Sequence, residues 1–276
     1  MSFENKKIAV VKVGGDMLLE ESDRIAFAQN LRELNANGWS SVVLHGGGPQ
    51  INSLQNAQGL SANKVDGRRI TSEADLKVVK QALCGELNVD LVASLLAQNV
   101  NAFGFHGASG LALEANKRPP MMFENHGEID LGEVGDVVKV NARLILDLLS
   151  LDLTPIIASL GVDQAGRTYN INADTTGAAV AKAVNADMLI LCTKVGAIFE
   201  NIKDPATRIA ELSPRLAKQL IADKTIKDGM IPKVTEALSL LDRGVESIAI
   251  INADKPDNFI QMAAQSTQVG TRLIRD

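Results

Sequence analysis

The fold is decided by residues 8–15, which read Ile-Ala-Val-Val-Lys-Val-Gly-Gly. A continuous apolar run of this length is typical of a strand that is buried on both faces, as in parallel sheets covered by helices. The two glycines predict a tight turn at the carboxyl end of the strand, the edge where open α/β sheets bind their ligands. The run therefore predicts a buried parallel strand that brings Lys12 to a binding edge.

The next segment repeats this pattern, with a helix between two strands. Apolar side chains recur at helical spacing between residues 25 and 34, and they predict a helix that is capped by Ser22 and ended by Gly38. A second apolar strand, Ser41–His45, runs into Gly46-Gly47-Gly48-Pro49, where the proline favours the start of a helix. The order strand, helix, strand, helix predicts parallel pairing.

The alternation continues to the end of the chain, with a hairpin excursion expected over Leu111–Asp130. The expected helices are Ala74–Ala97, Asn141–Leu149, Ala173–Val184, Pro214–Ala222 and Gly229–Arg243. The expected strands are Asn101–His106, Val134–Val140, Thr154–Ala158, Arg167–Asn170, Met188–Thr193, Val245–Ile251 and Gly270–Arg275. Strands that alternate with helices predict a layered α/β protein.

The composition supports a folded protein and argues against a nucleic-acid binder. The 276 residues are 46% hydrophobic and 22% charged, which is enough apolar material for a substantial core. The net charge is −5 with a pI near 5.4, whereas a nucleic-acid binder needs a concentrated basic face. Aromatic residues make up only 3%, so a platform for stacking bases is not supported either.

The cysteines and the apolar runs indicate the compartment. Cys84 and Cys192 lie far apart, so they form no metal knuckle and imply no disulfide framework. The sequence has no signal-peptide core and no apolar run long enough to span a bilayer. We therefore expect a soluble protein of the reducing cytoplasm that binds no membrane.

Two glycine-rich turns follow the first two strands and are candidate anion sites. Gly14 and Gly15 come after Lys12, and three further glycines come after His45. Glycines let backbone N–H groups approach an anion closely, and the start of the following helix adds partial positive charge. Simple packing turns are the alternative interpretation of both segments. His45 itself is expected to orient its loop rather than to react.

Polar residues in three later segments complete the set of candidates. Arg69 lies on a loop before a helix and offers a guanidinium that forks onto a carboxylate, with a solvated arginine as the alternative. Asn170, Asn172 and Asp174 alternate on a strand-to-helix turn, where helix capping accounts for only one or two of them. Lys233 sits in the first turns of a helix, where a cation opposes the helix dipole.

These candidates favour phosphoryl transfer over chemistry that uses a nucleophilic side chain. The three histidines have no acidic or serine partner in the sequence, and no metal-ligand spacing occurs. Two lysines, one aspartate and two glycine turns instead suit a reaction in which positioning and charge neutralisation carry most of the catalysis.

Six segments in register resemble the amino acid kinase family, and within it the members that phosphorylate N-acetylglutamate. They span nearly the whole chain and are Lys12–Gly15 (KVGG), His45–Gly48 (HGGG), Gly67–Thr71 (GRRIT), Leu131–Gly135 (LGEVG), Asn170–Asp174 (NINAD) and Asp228–Lys233 (DGMIPK). The resemblance implies one domain, a three-layer αβα sandwich around a mainly parallel sheet of about eight strands. It also implies an N-terminal lobe, residues 1–159, for the acyl amino acid and dimerisation, and a C-terminal lobe, residues 160–276, for the nucleotide.

The resemblance further implies the reaction. ATP, with Mg²⁺ held by its phosphates rather than by protein ligands, would phosphorylate the side-chain carboxylate of N-acetyl-L-glutamate in arginine biosynthesis. By position, Lys12 and Lys233 would neutralise the transferred phosphoryl group, and Asp174 would hold both lysines in place. The substrate carboxylate is ionised at neutral pH, so no general base is needed.

The remaining roles are carried over from the resemblance residue by residue. Gly15, Gly47 and Gly48 would donate backbone N–H groups to the phosphoryl group and the attacking carboxylate. Arg69 would bind the α-carboxylate and Asn170 the acetamido group. The substrate-binding set is Gly47, Gly48, Arg69, Asn170 and Asn172. The nucleotide-binding set is Gly14, Gly15, Thr193, Lys194, Gly196, Lys227, Gly229 and Met230.

Two segments depart from the family pattern. The family reads Thr-Asp-Val-x-Gly where this chain has Cys192-Thr193-Lys194-Val195-Gly196, so either Thr193 or Lys194 replaces the acidic residue, according to the register. Lys194 offers a positive charge to a phosphate or ribose instead. Relatives also read Gly-Lys-Asp-Gly where this chain has Gly107-Ala108-Ser109-Gly110.

Assembly and substrate are left with alternatives. Only seven residues precede the first expected strand, which is too short for the N-terminal helix that links arginine-inhibited relatives into hexamers. We therefore expect a homodimer without that form of inhibition. An aminoadipate derivative is an alternative substrate, uridylate and aspartate kinases are weaker alternatives, and a catalytically silent regulatory homologue that binds an amino acid is an alternative of another class.

Overall fold

The structure is a computed structural model that describes residues 6–226, 230–241, 244–245 and 247–276. The side chains at positions 230, 232, 233 and 236 lie outside this description.

The elements alternate as the apolar pattern predicts. The strands are β1 Lys7–Val13, β2 Trp39–His45, β3 Lys64–Val65, β4 Arg68–Arg69, β5 Ala102–His106, β6 Leu113–Lys117, β7 Met121–Phe123, β8 Gly127–Ile129, β9 Val134–Val140, β10 Thr154–Ala158, β11 Leu160–Val162, β12 Thr168–Ile171, β13 Met188–Cys192, β14 Ile198–Phe199, β15 Arg208–Ile209, β16 Glu211–Leu212, β17 Ile248–Ile251 and β18 Thr271–Leu273. The α-helices are α1 Glu21–Ala36, α2 Gly48–Ala57, α3 Glu73–Lys80, α4 Asn88–Ala97, α5 Ala142–Ser150, α6 Ala173–Ala183, α7 Pro214–Ala222, α8 Met230–Ser239 and α9 Asn258–Ala263.

The main sheet has eight strands in the order β16-β18-β17-β13-β1-β2-β10-β5. Every neighbouring pair is parallel except β17 and β18. Side chains of β1 alternate between two apolar layers, with Val10 in one core cluster and Val11 in the other. This is why the strand reads as a continuous apolar run, and it confirms the predicted α/β architecture with a mainly parallel sheet.

A second, smaller β-structure lies beside the main sheet. Strands β6, β9, β12 and β11 close into a four-stranded barrel, and β7 and β8 form an antiparallel hairpin. The hairpin confirms the excursion predicted over Leu111–Asp130. The barrel takes two strands from before residue 159 and two from after it.

Two helix predictions differ from the structure. Helix α1 begins at Glu21 after the extended residue Glu20, so Ser22 lies inside the helix and caps nothing. The capping prediction for Ser22 was therefore wrong, since the backbone turns helical before it. The helix expected over Ala74–Ala97 is α3 and α4 joined by π-helical turns at Gln81–Leu87.

Candidate active site

Parallel pairing brings the carboxyl ends of four central strands to one edge of the main sheet. Val13 at the end of β1 pairs with His45 of β2 on one side and with Cys192 of β13 on the other. Ala158 of β10 pairs in turn with His45. The loops that follow these strands carry most of the residues singled out in the sequence, so they start from a common edge.

Five glycines form a cradle at this edge, which we call the glycine cradle: Gly14, Gly15, Gly46, Gly47 and Gly48. Gly46 N donates to Val13 O at 3.2 Å, and Gly14 N donates to Cys192 O at 3.4 Å. A Cβ on Gly15 would lie 2.6 Å from Gly47 Cα, so only glycine allows the two turns to approach each other. A Cβ on Gly48 would meet nothing within 4 Å, so its space is open to a ligand.

Lys12 and Asp174 meet at the cradle. The Lys12 Nζ lies 2.9 Å from Asp174 Oδ1, and the two side chains are 12% and 31% exposed. Asp174 lies in the first turn of α6, where the helix dipole favours a carboxylate. The structure thus joins two of the three predicted catalytic residues, although 162 positions separate them by their numbers.

The third predicted catalytic residue is not described at the side-chain level. Helix α8 contains Lys233 and Met230, but their side chains lie outside the description, as do Lys227 and Gly229 altogether. Their predicted roles therefore stay predictions.

Arg69 lies against the start of α2. Its guanidinium donates to Gln55 Oε1, to Asn52 Oδ1, and to Gly48 O at 3.4 Å. Burial lowers the pKa of Arg69, and the nearby Asp75 opposes that shift. The structure therefore places this cation next to one glycine of the cradle instead of in open solvent.

Asn170 is tied to the same region through Thr71. Its Nδ2 donates to Thr71 Oγ1 at 3.1 Å, and Thr71 lies two positions after Arg69. The backbone of the fully buried Thr71 is in turn held between Leu131 and Glu133, at 2.9 and 2.7 Å. The segments containing Arg69 and Asn170 are thus joined through Thr71.

The three alternating polar residues of the β12–α6 turn have different surroundings. Asn172 is the N-cap of α6 and accepts a hydrogen bond from Thr175 N at 2.9 Å. Asn170 is in strand β12, and Asp174 is paired with Lys12. Capping thus explains one residue of the three, as the sequence allowed.

The residues after β13 hold a tight turn and an ion pair. Thr193 Oγ1 accepts from Gly196 N at 3.1 Å, and Gly196 has φ +75° beside Asn252. Lys194 extends its Nζ to 3.2 Å from Asp23 Oδ2 on α1. Lys194, one of the two residues that could stand in place of the acidic residue, is thus paired with a carboxylate.

His45 is buried at the start of the glycine turn and contacts it. It is fully buried, and desolvation lowers its pKa from 6.5 to about 4. Its Nε2 lies 3.0 Å from Asn88 Nδ2 and its Nδ1 lies 3.2 Å from Gly46 O, a pattern that suits the neutral ring with hydrogen on Nδ1. The expectation that His45 orients the glycine loop agrees with these contacts.

Two amide residues at the site were missed in the sequence. Asn88 bonds to His45, and Gln50 donates to Gly15 O at 2.7 Å. The only signal for Gln50 is its place directly after the glycines and Pro49, inside the first turn of α2. Asn88 had no such signal, because its partner is 43 positions away.

Other features of the described residues lie apart from this edge or add nothing to it. A polar cavity of about 270 Å³ lies at the opposite edge of the sheet, where Lys6 pairs with Asp152 at 3.1 Å. No group of three or more His, Cys, Asp or Glu side chains in the described ranges is arranged to hold a metal ion. Within the same ranges, every helix is too short or too polar to cross a membrane.

Known proteins resemble this chain over nearly its full length. The profile of the amino acid kinase family matches residues 7–252. An acetylglutamate kinase of Anaeromyxobacter dehalogenans (strain 2CP-C) is 41% identical over 270 residues, covering 97% of this chain and 99% of the relative. An acetylglutamate kinase of Methanocaldococcus jannaschii is 37% identical over 98% of this chain and 91% of its own. The crystal structure of smu.665 from Streptococcus mutans UA159 superposes with a TM-score of 0.74 at 28% identity, covering 98% of this chain and 99% of the other.

Proposed function

This chain belongs to the amino acid kinase family, and we propose that it transfers the γ-phosphoryl group of ATP to the side-chain carboxylate of N-acetyl-L-glutamate. The product is N-acetyl-L-glutamyl 5-phosphate, an intermediate of arginine biosynthesis. The single observation that carries the proposal is the Lys12–Asp174 contact of 2.9 Å beside the glycine cradle, in a chain about 40% identical to acetylglutamate kinases.

The transfer centre works by charge and position. The carboxylate oxygen of the substrate attacks the γ-phosphorus in line, a new P–O bond forms, and ADP leaves with the electron pair of the broken bond. Lys12 and Lys233 neutralise the charge on the moving phosphoryl group, and Asp174 positions them. The N–H groups of Gly15, Gly47 and Gly48 stabilise the same oxygens. The attacking carboxylate is already ionised, so no residue has to remove a proton.

Substrate recognition depends on the Arg69 region. Arg69 binds the α-carboxylate with two parallel hydrogen bonds, and its position at 3.4 Å from Gly48 O supports this role. Asn170 binds the acetamido group, and Asn172 contributes from the adjacent turn. Thr71 keeps Asn170 close to the strand that carries Arg69.

ATP lies on the other side of the cradle. The nucleotide-binding residues are Gly14, Gly15, Thr193, Lys194, Gly196, Lys227, Gly229 and Met230. When bound, Mg²⁺ neutralises phosphate charge and is held by the nucleotide phosphates, in keeping with its preference for substrate oxygens and water.

Residues 1–159 form a lobe for the acyl amino acid and residues 160–276 a lobe for the nucleotide. The first lobe also carries a dimer interface on its outer strand. Strand β5 is the last strand of the main sheet, and Phe103 on it is 44% exposed. Val89 and Leu96 of the neighbouring α4 are exposed as well. A second copy of the chain covers this apolar edge.

The proposed function is tested with purified protein, MgATP and N-acetyl-L-glutamate. ADP release is coupled to NADH oxidation, and hydroxylamine traps the acyl phosphate as a hydroxamate. We expect both signals to depend on N-acetyl-L-glutamate and to be absent with free glutamate.

The same assay separates the alternatives. Faster turnover of N-acetyl-α-aminoadipate than of N-acetyl-L-glutamate would show that the longer acyl amino acid is the preferred substrate. Binding of N-acetyl-L-glutamate without ADP release or hydroxamate would contradict the proposal and favour a silent regulatory homologue.

A further inference from the structure

The side chain of Gln50 connects the two turns of the glycine cradle. Gln50 lies in the first turn of α2, after the turn that follows β2. Its Nε2 donates to Gly15 O at 2.7 Å, in the turn that follows β1. No hydrogen bond of the described cradle backbone joins Gly15 to Gly47, although the two pack closely. The amide of Gln50 therefore fixes how the first turn lies on the second.

This hydrogen bond helps to hold the direction of one peptide group, that of Gly15. A carbonyl oxygen carries partial negative charge and would repel a phosphoryl group, whereas an N–H group attracts it. Because Gly15 O accepts from Gln50, that oxygen is directed toward α2. Gly15 begins the short 3₁₀ turn Gly15–Leu18, and the hydrogen bond from Gln50 is the side-chain contact that ties the carbonyl of this residue to α2.

The other end of the amide indicates a role beyond stability. Gln50 Oε1 is buried and has no hydrogen-bond partner among the described residues. A buried acceptor that is left unpaired opposes folding. Oε1 lies 2.5 Å from where a Cβ on Gly15 would be, so the side chain is pressed against the backbone of the cradle. The side chain of Gln50 thus leaves its Oε1 unpaired while its Nε2 donates to Gly15 O.

We propose that Gln50 is a positioning residue for phosphoryl transfer: it holds the Gly15 carbonyl toward α2, so that N–H groups of the cradle face the transferred phosphoryl group. The inference rests on the proposed function, since it assigns a role to the same site. Gln50 acts through its contact with Gly15. The N–H groups should matter most in the transition state, when the phosphoryl group lies between the leaving oxygen of ADP and the attacking carboxylate oxygen.

Two substitutions test this role. Gln50→Met keeps the length of the side chain and removes the donor, whereas Gln50→Glu puts a second acceptor against the Gly15 carbonyl. We expect kcat to fall at least about tenfold for Gln50→Met and further for Gln50→Glu, with each KM within about threefold of wild type. Aluminium fluoride bound with MgADP mimics the phosphoryl group in transfer, and the affinity of both Gln50 variants for this combination should fall by a similar factor. Their affinity for MgADP alone should stay at the wild-type value.

Gln58→Met is the matched control. Gln58 follows the same helix and donates from Nε2 to Gln81 Oε1 at 2.9 Å on the surface, so kcat should stay at the wild-type value. Wild-type kcat in both Gln50 variants would overturn the inference and leave the proposed function standing. A loss seen only as a higher KM or a lower melting temperature would also overturn it. An inactive wild-type protein would overturn the proposed function and the inference together.

Discussion

At the scale of single residues, the site depends on charged and amide groups that are held where secondary structure begins or ends. Lys12 is the next-to-last residue of β1, and Asp174 is in the first turn of α6. Arg69 ends the short strand β4 and reaches back to α2. Each backbone position is fixed by a sheet or a helix, so the side chains keep their places before any ligand arrives.

Arg69→Lys tests the proposed two-donor contact between Arg69 and the α-carboxylate of the substrate. Lysine keeps the charge but loses the two parallel donors, so about 2 kcal/mol of binding should be lost. We expect KM for N-acetyl-L-glutamate to rise about 30-fold and KM for ATP to stay within about threefold. Steady-state kinetics with each substrate varied in turn measures both. Arg68→Lys on the same strand is the control, and equal effects of the two substitutions would contradict the assignment.

His45 predicts how stability depends on pH. Its pKa is lowered from 6.5 to about 4 in the folded protein, so between these values the unfolded chain binds more protons. The stability due to the neutral ring is therefore complete above about pH 6.5 and is lost as the pH falls, by about 2 kcal/mol at pH 5. Urea unfolding at pH 7.5 and pH 5 of wild type and of His45→Asn measures this difference.

The His45→Asn variant should lose less stability on acidification than wild type. Carboxylates titrate in both proteins, whereas the buried imidazole ring is present only in wild type. His126→Asn is the control, since His126 is about half exposed and its ring lies 3.9 Å from Asp66. The same acid-dependent loss in His45→Asn and in wild type would show that the buried ring is not the cause.

At the scale of elements, helices position the loops of the site through buried contacts. The π-helical turns at Gln81–Leu87 bring Leu83 and Leu87 against Gly47, where a larger residue would collide with both. Such turns are often found at functional sites. Helix α1 plays a similar role for the loop after β17, through Asn30.

Asn30→Ala tests that contact. Asn30 is fully buried, donates to the carbonyls of Ala253 and Lys255 at 3.2 and 2.7 Å, and accepts from Phe259 N at 3.0 Å. Alanine removes the side-chain partner of Ala253 O and Phe259 N and leaves Lys255 O with only Asn258 N, so the free energy of unfolding should fall by about 2–4 kcal/mol. Urea denaturation measures the change.

The exposed Asn37 provides the comparison. Its Nδ2 donates to Glu33 O at 2.8 Å near the end of the same helix, and Asn37→Ala should cost no more than about 0.5 kcal/mol. A loss in Asn30→Ala as small as in Asn37→Ala would mean that the buried amide does not hold the loop.

The elements also mark the limit of what the sequence predicts. Strands such as β1, β2 and β10 were predicted because a strand buried among helices is apolar along most of its length. Helix α9 and strand β11 were missed because they are short, with six and three residues, and too short to show a clear apolar period. Ser22 failed as a cap because the start of a helix depends on backbone geometry, which one favourable residue type does not determine.

At the scale of the whole molecule, one sheet joins the parts of the site. Strand β1 lies between β2 and β13, so the glycine turns and the loop with Thr193 come from neighbouring strands. The sequence indicated parallel pairing but contained no information on strand order. Motif positions made Lys12, Asp174 and Arg69 candidates, whereas the contacts of Gln50 and Asn88 depend on partners that are distant in the sequence.

Phe103→Asp tests the proposed dimer. A carboxylate on the outer strand β5 costs free energy when a second copy covers it, so the protein should become monomeric. Light scattering after size exclusion should give twice the 29.4 kDa mass of one chain for wild type and a single chain mass for the variant. Met122→Asp, at an exposed apolar residue on the β7–β8 hairpin, should leave the mass unchanged. A wild-type mass of one chain or of six would contradict the homodimer.

The most direct test of the account is the turnover of Lys233→Ala with MgATP and N-acetyl-L-glutamate. If this lysine and Lys12 neutralise one phosphoryl group, kcat falls by at least about 100-fold, with a much smaller change in either KM. The exposed Lys218→Ala, on α7, serves as the control and keeps wild-type turnover. A kcat for Lys233→Ala within about threefold of wild type would contradict the paired-lysine mechanism.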